Sequence, residues 1–118
     1  MRNSIERNLE NIHQLLGNGK FIEAMENYLN DDVELREGND LPKKGKQNCI
    51  QIEQNFINNQ LAEFVRYDVK DVAVKGNHSF YTAEMELKLI DGSTMLSEQV
   101  VSTEWENGKI SKERYYHA

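Results

Sequence analysis

The segment WENGKISKERYYHA carries Glu113, Tyr115 and His117 at alternate positions. In an extended strand that spacing sets all three on one face. A carboxylate and an imidazole so placed can hold and move a proton, because histidine titrates near neutrality and a carboxylate in apolar surroundings has a raised pKa; the tyrosine adds a hydroxyl. The preceding segment, TMLSEQVVSTEWE, brings Gln99, Thr103 and Trp105, also at alternate positions. Whether the two sets share a face depends on the turn between them. A three-residue loop Glu106-Asn107-Gly108, with Gly108 left-handed in a bulge, aligns Gln99, Val101, Thr103 and Trp105 with Ser111, Glu113, Tyr115 and His117. A two-residue Asn107-Gly108 turn puts Arg114 and Tyr116 on the Trp105 face instead. The first arrangement is preferred. It makes Glu113 and His117 the candidates for acid–base work and Gln99, Thr103, Trp105 and Tyr115 candidates for ligand contact, against the plainer reading of a strand's wet side.

His13, beside Ile12 at the edge of an apolar helical face, and Tyr28 are further candidate ligand contacts, with boundary or core packing as the competing role. His78, in KGNHS, reads as a turn residue. The three histidines show no HxxxH or HxH spacing, so no metal site is expected. There is no Gly-rich phosphate loop and no nucleophile elbow, which argues against nucleotide binding and serine hydrolase chemistry; no cofactor is expected. A net charge of -6, with basic residues clustered only at Lys43, Lys44 and Lys46, makes nucleic acid a poor partner. The single Cys49 excludes an intrachain disulfide framework and reads as a small buried residue. The start of the chain is polar and periodic, without a secretory apolar region, and no run reaches membrane-spanning length, so a cytoplasmic protein with no membrane partner is expected.

The elements that must position these groups follow from periodicity. One domain is expected from 118 residues. SIERNLENIHQLL sets Ile5, Leu9, Ile12, Leu15 and Leu16 on one helical face, and KFIEAMENYL does the same with Phe21, Ala24, Met25, Tyr28 and Leu29; the Gly-Asn-Gly link implies a helical hairpin. DDVELRE reads as a short strand, GNDLPKKG as a loop, and KQNCIQIEQNFINNQ as a third helix through Cys49, Ile50, Glu53, Phe56 and Ile57. Four strands follow, divided by GNHS, DGS and NG turn signals. Helices followed by hairpin-linked strands mean an α+β fold, with helices on one face of an antiparallel sheet. Tyr81, Ala83, Met85, Leu87 and Leu89 form one buried face, leaving Glu84 and Glu86 in water. A parity shift near Lys70-Asp71 predicts a β-bulge and a concave sheet. Leu96 and Val100 oppose Met95, Val101 and Trp105 in parity, so the outer face also needs cover, most simply from a second copy in a homodimer.

The order of elements, with FIEAMENYLNDDVEL, PKKGKQNCI and TEWENGKI as the carrying segments, resembles the nuclear transport factor 2-like (NTF2-like) superfamily and, within it, the SnoaL-like branch with its polyketide cyclase, ketosteroid isomerase and limonene epoxide hydrolase relatives. The resemblance spans nearly the whole chain and implies a cone-shaped α+β barrel, cystatin-like in its sheet, that encloses one pocket. It also implies homodimers through the outer face and agrees with the three-residue turn register. Ketosteroid isomerase chemistry needs a carboxylate base and an oxyanion hole. The resemblance puts Glu37 at the base position, or Arg36 if the loop gap moves, but sets Ile12 and Val101 where the hole's donors belong. Steroid isomerase activity is therefore not carried over, nor is epoxide hydrolysis, because its Asp-Arg-Asp set is missing. Three functions remain open: a small-molecule-binding protein without an assigned reaction; an isomerase, cyclase or dehydratase with Glu37 or Glu113 as general base; and a protein–protein module.

Overall fold

A computed structural model describes residues 4–117. Helices α1 (Ser4–Gly17) and α2 (Phe21–Tyr28) form the expected hairpin. Ile5, Leu9 and Ile12 are buried, the face that the spacing selects. In the hairpin, Gly19 has a φ of +73°, and a Cβ there would stand 3.4 Å from the Phe64 ring. The turn thus needs a residue that is left-handed and lets that ring approach. Leu29, expected at the end of the second helix, instead opens strand β1 (Leu29–Glu37). Its backbone is extended and its side chain, 4% exposed, sits opposite Ile110, so sheet packing overrides helical spacing.

The PKKGK loop contains a two-residue strand, β2 (Lys43–Lys44), antiparallel to β1, before α3 (Lys46–Asn59). The rest is a meander: β3 (Leu61–Lys75), β4 (His78–Leu89), β5 (Thr94–Glu106) and β6 (Lys109–His117). The sheet has six strands in the order β2-β1-β6-β5-β4-β3, with β1 parallel to β6 and the other pairs antiparallel. Pairing β1 to β6 sets Leu35 opposite Glu113 and Glu37 opposite Tyr115, which joins residues far apart in sequence.

The expected bulge is present. Val69 pairs with Ala83 and Val72 with Tyr81, leaving Lys70 and Asp71 opposite Thr82 alone. The Asp71 N–H donates to Thr82 Oγ1 at 3.2 Å, so the displaced backbone group stays bonded. Two further register shifts, between Leu61 and Glu63 and between Phe64 and Arg66, add to the bend. The helices pack on the resulting concave face, and the core gathers Leu9, Ile12, Val33, Cys49, Tyr81, Val101, Trp105 and Ile110.

The last hairpin combines parts of both expected registers. Glu106 pairs with Lys109 around a two-residue turn, and Asn107 (φ 51°) and Gly108 (φ 79°) are both left-handed, as a type I′ turn requires. The preferred three-residue loop is thus corrected. A bulge follows at once: Trp105 pairs with Ile110 but Glu104 with Lys112, so Ser111 is the extra residue, its hydroxyl donating to the Glu104 carbonyl at 3.1 Å. That one-residue shift restores the parity. Thr103 faces Glu113, Val101 faces Tyr115 and Gln99 faces His117.

Candidate functional site

A cavity of about 730 Å³ lies between the helices and the concave sheet. Leu9, Leu16 and Met25 of the hairpin and Phe56 of α3 give it apolar walls; Tyr67, Tyr81, Met85 and Gln99 line the sheet side. At one end stand Glu37, Lys43, Glu53, Glu113, Tyr115 and His117.

Glu113 is the centre of that end. Its two oxygens accept separate hydrogen bonds, one from Thr103 Oγ1 at 2.7 Å and one from Tyr115 Oη at 2.5 Å. Strand geometry explains both: Thr103 is its cross-strand partner and Tyr115 its same-face neighbour. Among the described residues no lysine, arginine or histidine pairs with it. Burial raises its pKa, partly opposed by those two donors. Burial also pushes the phenols of Tyr115 and Tyr81 well above their usual range, so both remain O–H donors. The group is a desolvated carboxylate held by neutral donors beside open volume, an arrangement suited to accepting a proton or hydrogen-bonding a ligand.

A second carboxylate lies nearby. Glu37, at the end of β1, contacts His117 Nε2 at 2.5 Å, and both side chains are about two-fifths exposed, on the solvent side of the cavity. Glu53 is a third. Burial raises its pKa, with Lys43 acting in the opposite sense. Sequence reading placed Glu53 on the apolar face of its helix, four residues from Cys49, without singling it out as a site residue. A charged residue on a face otherwise given to Cys49 and Phe56 was the available signal. Lys43 was noted only as part of a basic cluster.

Of the sequence-selected residues, Glu37, Gln99, Glu113, Tyr115 and His117 line the cavity together. Thr103, fully buried, supports Glu113 from beneath. Trp105 is also buried away from the lining, its Nε1–H donating to Ser79 Oγ at 2.9 Å. Tyr28 packs against the core without lining the cavity. His13 packs edge-on against Tyr81, ring centroids 4.5 Å apart, and burial lowers its pKa to about 4.

No family model and no curated protein matches the chain. Solved structures do. A candidate SnoaL-like polyketide cyclase from Mesorhizobium loti superposes with a TM-score of 0.81 at 24% identity, over 95% of this chain and 97% of that one. An NTF2-like protein of unknown function from Burkholderia pseudomallei gives 0.84 at 12% identity, over 99% and 92%. TerC, crystallised with polyporic acid, gives 0.79 at 15% identity, over 98% and 92%. The chain therefore has the α+β fold of these NTF2-like structures, as the order of elements implied. No helix among the described residues is long and apolar enough to cross a membrane.

Proposed function

We propose that this protein binds a small, partly apolar organic molecule in the cavity between helices and sheet. The observation that carries this reading is the cavity itself: about 730 Å³ walled by apolar side chains, with a buried, doubly hydrogen-bonded carboxylate at one end. Ligand sites are typically concave, mostly apolar and fitted with a few placed polar groups. The cocrystal of TerC with polyporic acid supports small-molecule binding in a protein of the same fold. In this reading Glu113, Tyr115 and Gln99 contact the ligand's polar end, Thr103 orients Glu113, and Tyr28 and Trp105 stiffen the surrounding wall. Cytoplasmic residence belongs to the same reading.

A specific observation favours catalysis as the second reading. Glu113 has its pKa raised by burial and reaches the cavity, which suits a general base or acid. Tyr115 would serve as proton donor, and Glu37 with His117 as an alternative acid–base pair in the same cavity. Isomerase, cyclase or dehydratase chemistry would use such a set.

The convex face supports a homodimer. Phe80 (40% exposed), Val100 (42%), Leu96 (61%) and Tyr116 (44%) leave apolar area on the side away from the helices.

The test is calorimetric titration and thermal shift of the whole chain with polyketide-like, steroid-like, terpenoid and aromatic-acid compounds. Saturable binding that weakens about tenfold in Glu113→Gln or Tyr115→Phe supports the cavity reading. Turnover lost in Glu113→Gln or Glu37→Gln while binding persists selects the enzyme. A null result across the library, with a protein partner captured instead, selects the protein–protein module.

A further inference from the structure

Arg36 and Arg114 are direct cross-strand partners on β1 and β6. Their row runs on through Ser102 to Phe80, so both side chains belong to the convex face. Like charges set opposite one another on a sheet repel, and an arginine is best answered by a carboxylate. Elsewhere on this face that answer is present: Arg66 meets Asp68 and Glu86, and Lys70 meets Glu84. Among the described residues no carboxylate pairs with Arg36 or Arg114. Acids are in excess in a chain of net charge -6, so two adjacent cations without one imply a place kept for an outside anion.

The surroundings of the pair hold it in position without neutralising it. Arg36 Nε donates to the Asp40 carbonyl at 2.9 Å; Arg114 donates from Nε to the Gly38 carbonyl at 2.9 Å and from Nη2 to Asn39 Oδ1 at 2.8 Å. Arg36 Nη2 reaches the Asn39 carbonyl at 3.5 Å, so both guanidinium forks converge on one loop whose acceptors are uncharged. Arg114 Cζ stands 4.8 Å from the centre of the Tyr116 ring, which fixes the plane of the fork. Among the described residues Nη1 of either arginine has no partner, and both side chains line a groove of about 320 Å³ with Pro42, Ser102 and Tyr116. The acids of that groove are answered within the next row. Glu34 faces Lys44 and Lys112, and Glu104 faces Lys112 and lies 3.8 Å from His78.

We propose that Arg36 and Arg114 form an oxyanion site that takes the carboxylate or phosphate group of a small molecule. Two planar forks held side by side match the paired oxygens of such a group, and the Ser102 hydroxyl, next in the row, adds a donor. The site lies on the opposite face of the sheet from the cavity and stands independently of the ligand proposed there.

The experiment titrates inorganic phosphate and succinate into the whole chain at pH 7, with sodium chloride holding the ionic strength constant, and follows the arginine Nε–Hε resonances. Those of Arg36 and Arg114 are expected to move together and to saturate with an affinity of about 1 mM, while that of Arg66 stays still. Arg36→Gln and Arg114→Gln should each weaken binding about tenfold, and Arg66→Gln should leave it unchanged. The anion that binds more tightly identifies the head group. Arg114→Gln also releases the Gly38–Asn39 loop, so if that variant fails to fold, Arg36→Gln and the resonances of the unsubstituted protein carry the test. No saturable shift with either anion, or an equal loss in Arg66→Gln, overturns the site. So does a dimer that Arg114→Gln dissociates while the parent protein ignores both anions, because the missing charge is then a carboxylate of the second copy.

Discussion

Glu113 and Glu84 are the same residue type on the same sheet, and their surroundings shift them in opposite directions. Glu113 lies on the concave face, in the cross-strand row Ser79, Thr103, Glu113; burial raises its pKa. Glu84 lies on the convex face, where Lys70 Nζ at 2.7 Å and the Arg66 guanidinium lower its pKa. The adjoining rows repeat the contrast: Tyr81, Val101 and Tyr115 inside, Thr82, Val100 and Tyr116 outside. Inside, polar groups are held by neutral donors in dry surroundings; outside, charges find opposite charges in water. A polar group acquires unusual chemistry only where the sheet's curvature and the helices exclude solvent.

The comparison would break most visibly at Trp105. Trp105→Ala removes a 4% exposed indole and strands the Ser79 hydroxyl, fully buried, without its donor. A loss of about 3–5 kcal/mol in urea unfolding is expected. Phe80→Ala, one face away and 40% exposed, should cost about 1 kcal/mol or less. Similar losses for the two would mean that the convex face is as closely covered as the concave one.

Acid should weaken the concave face next. His13 titrates near 4 in the fold against 6.5 for the free side chain. Between those values the unfolded chain binds the extra proton, so stability is complete above about pH 6.5 and is lost as pH falls through about 4. The loss should be on the order of 1–2 kcal/mol after allowance for partial solvent screening. It should be absent in His13→Phe when urea midpoints are followed from pH 7 to pH 4.

Glu113→Gln carries the opposite sign. A carboxyl whose pKa is raised by burial destabilises the fold once ionised, increasingly as pH rises above the ordinary carboxylate range. The amide keeps an acceptor for Thr103 or Tyr115 and buries no charge. The variant is therefore expected to be as stable as the parent at pH 7, or more stable by about 1 kcal/mol, while ligand affinity falls. A clear loss of stability would make Glu113 a structural anchor.

The strengths of the sequence signals explain what could be read in advance. Helical spacing marked Ile5, Leu9 and Ile12, and strict alternation marked Tyr81, Ala83 and Leu87, because each pattern records a buried face. The bulge at Lys70-Asp71 was legible as a parity break. Leu29 and β2 were not, since Leu29 depends on Ile110, remote in sequence, and β2 is only two residues long, too short to show alternation, and exists through its pairing with Glu34 and Leu35. The last hairpin shows how two local choices can exchange. Asn-Gly favoured the two-residue turn, and a bulge at Ser111 supplied the shift that the longer loop had been expected to give, so the face shared by Glu113, Tyr115 and Gln99 was read through the wrong turn. Glu53, Lys43 and Tyr67 were missed as site residues because only the packing of β2, α3 and β3 around the cavity brings them to it.

The smallest effects belong to the convex face of the isolated chain. Arg66 bridges Asp68 at 2.6 Å and Glu86 at 3.2 Å, yet the cluster is solvated, so Arg66→Gln should leave the melting temperature unchanged within error. Val100→Glu should likewise change dilute-protein stability by less than about 0.5 kcal/mol, because the side chain already meets water. Its effect should emerge with concentration. If two copies pair through this face, the parent's melting temperature rises with protein concentration, while Val100→Glu, which adds a charge beside Glu98 and Glu84, holds a constant value and sediments as a monomer. Concentration-independent melting of both proteins would show that the apolar area of the convex face is simply the solvated side of the sheet.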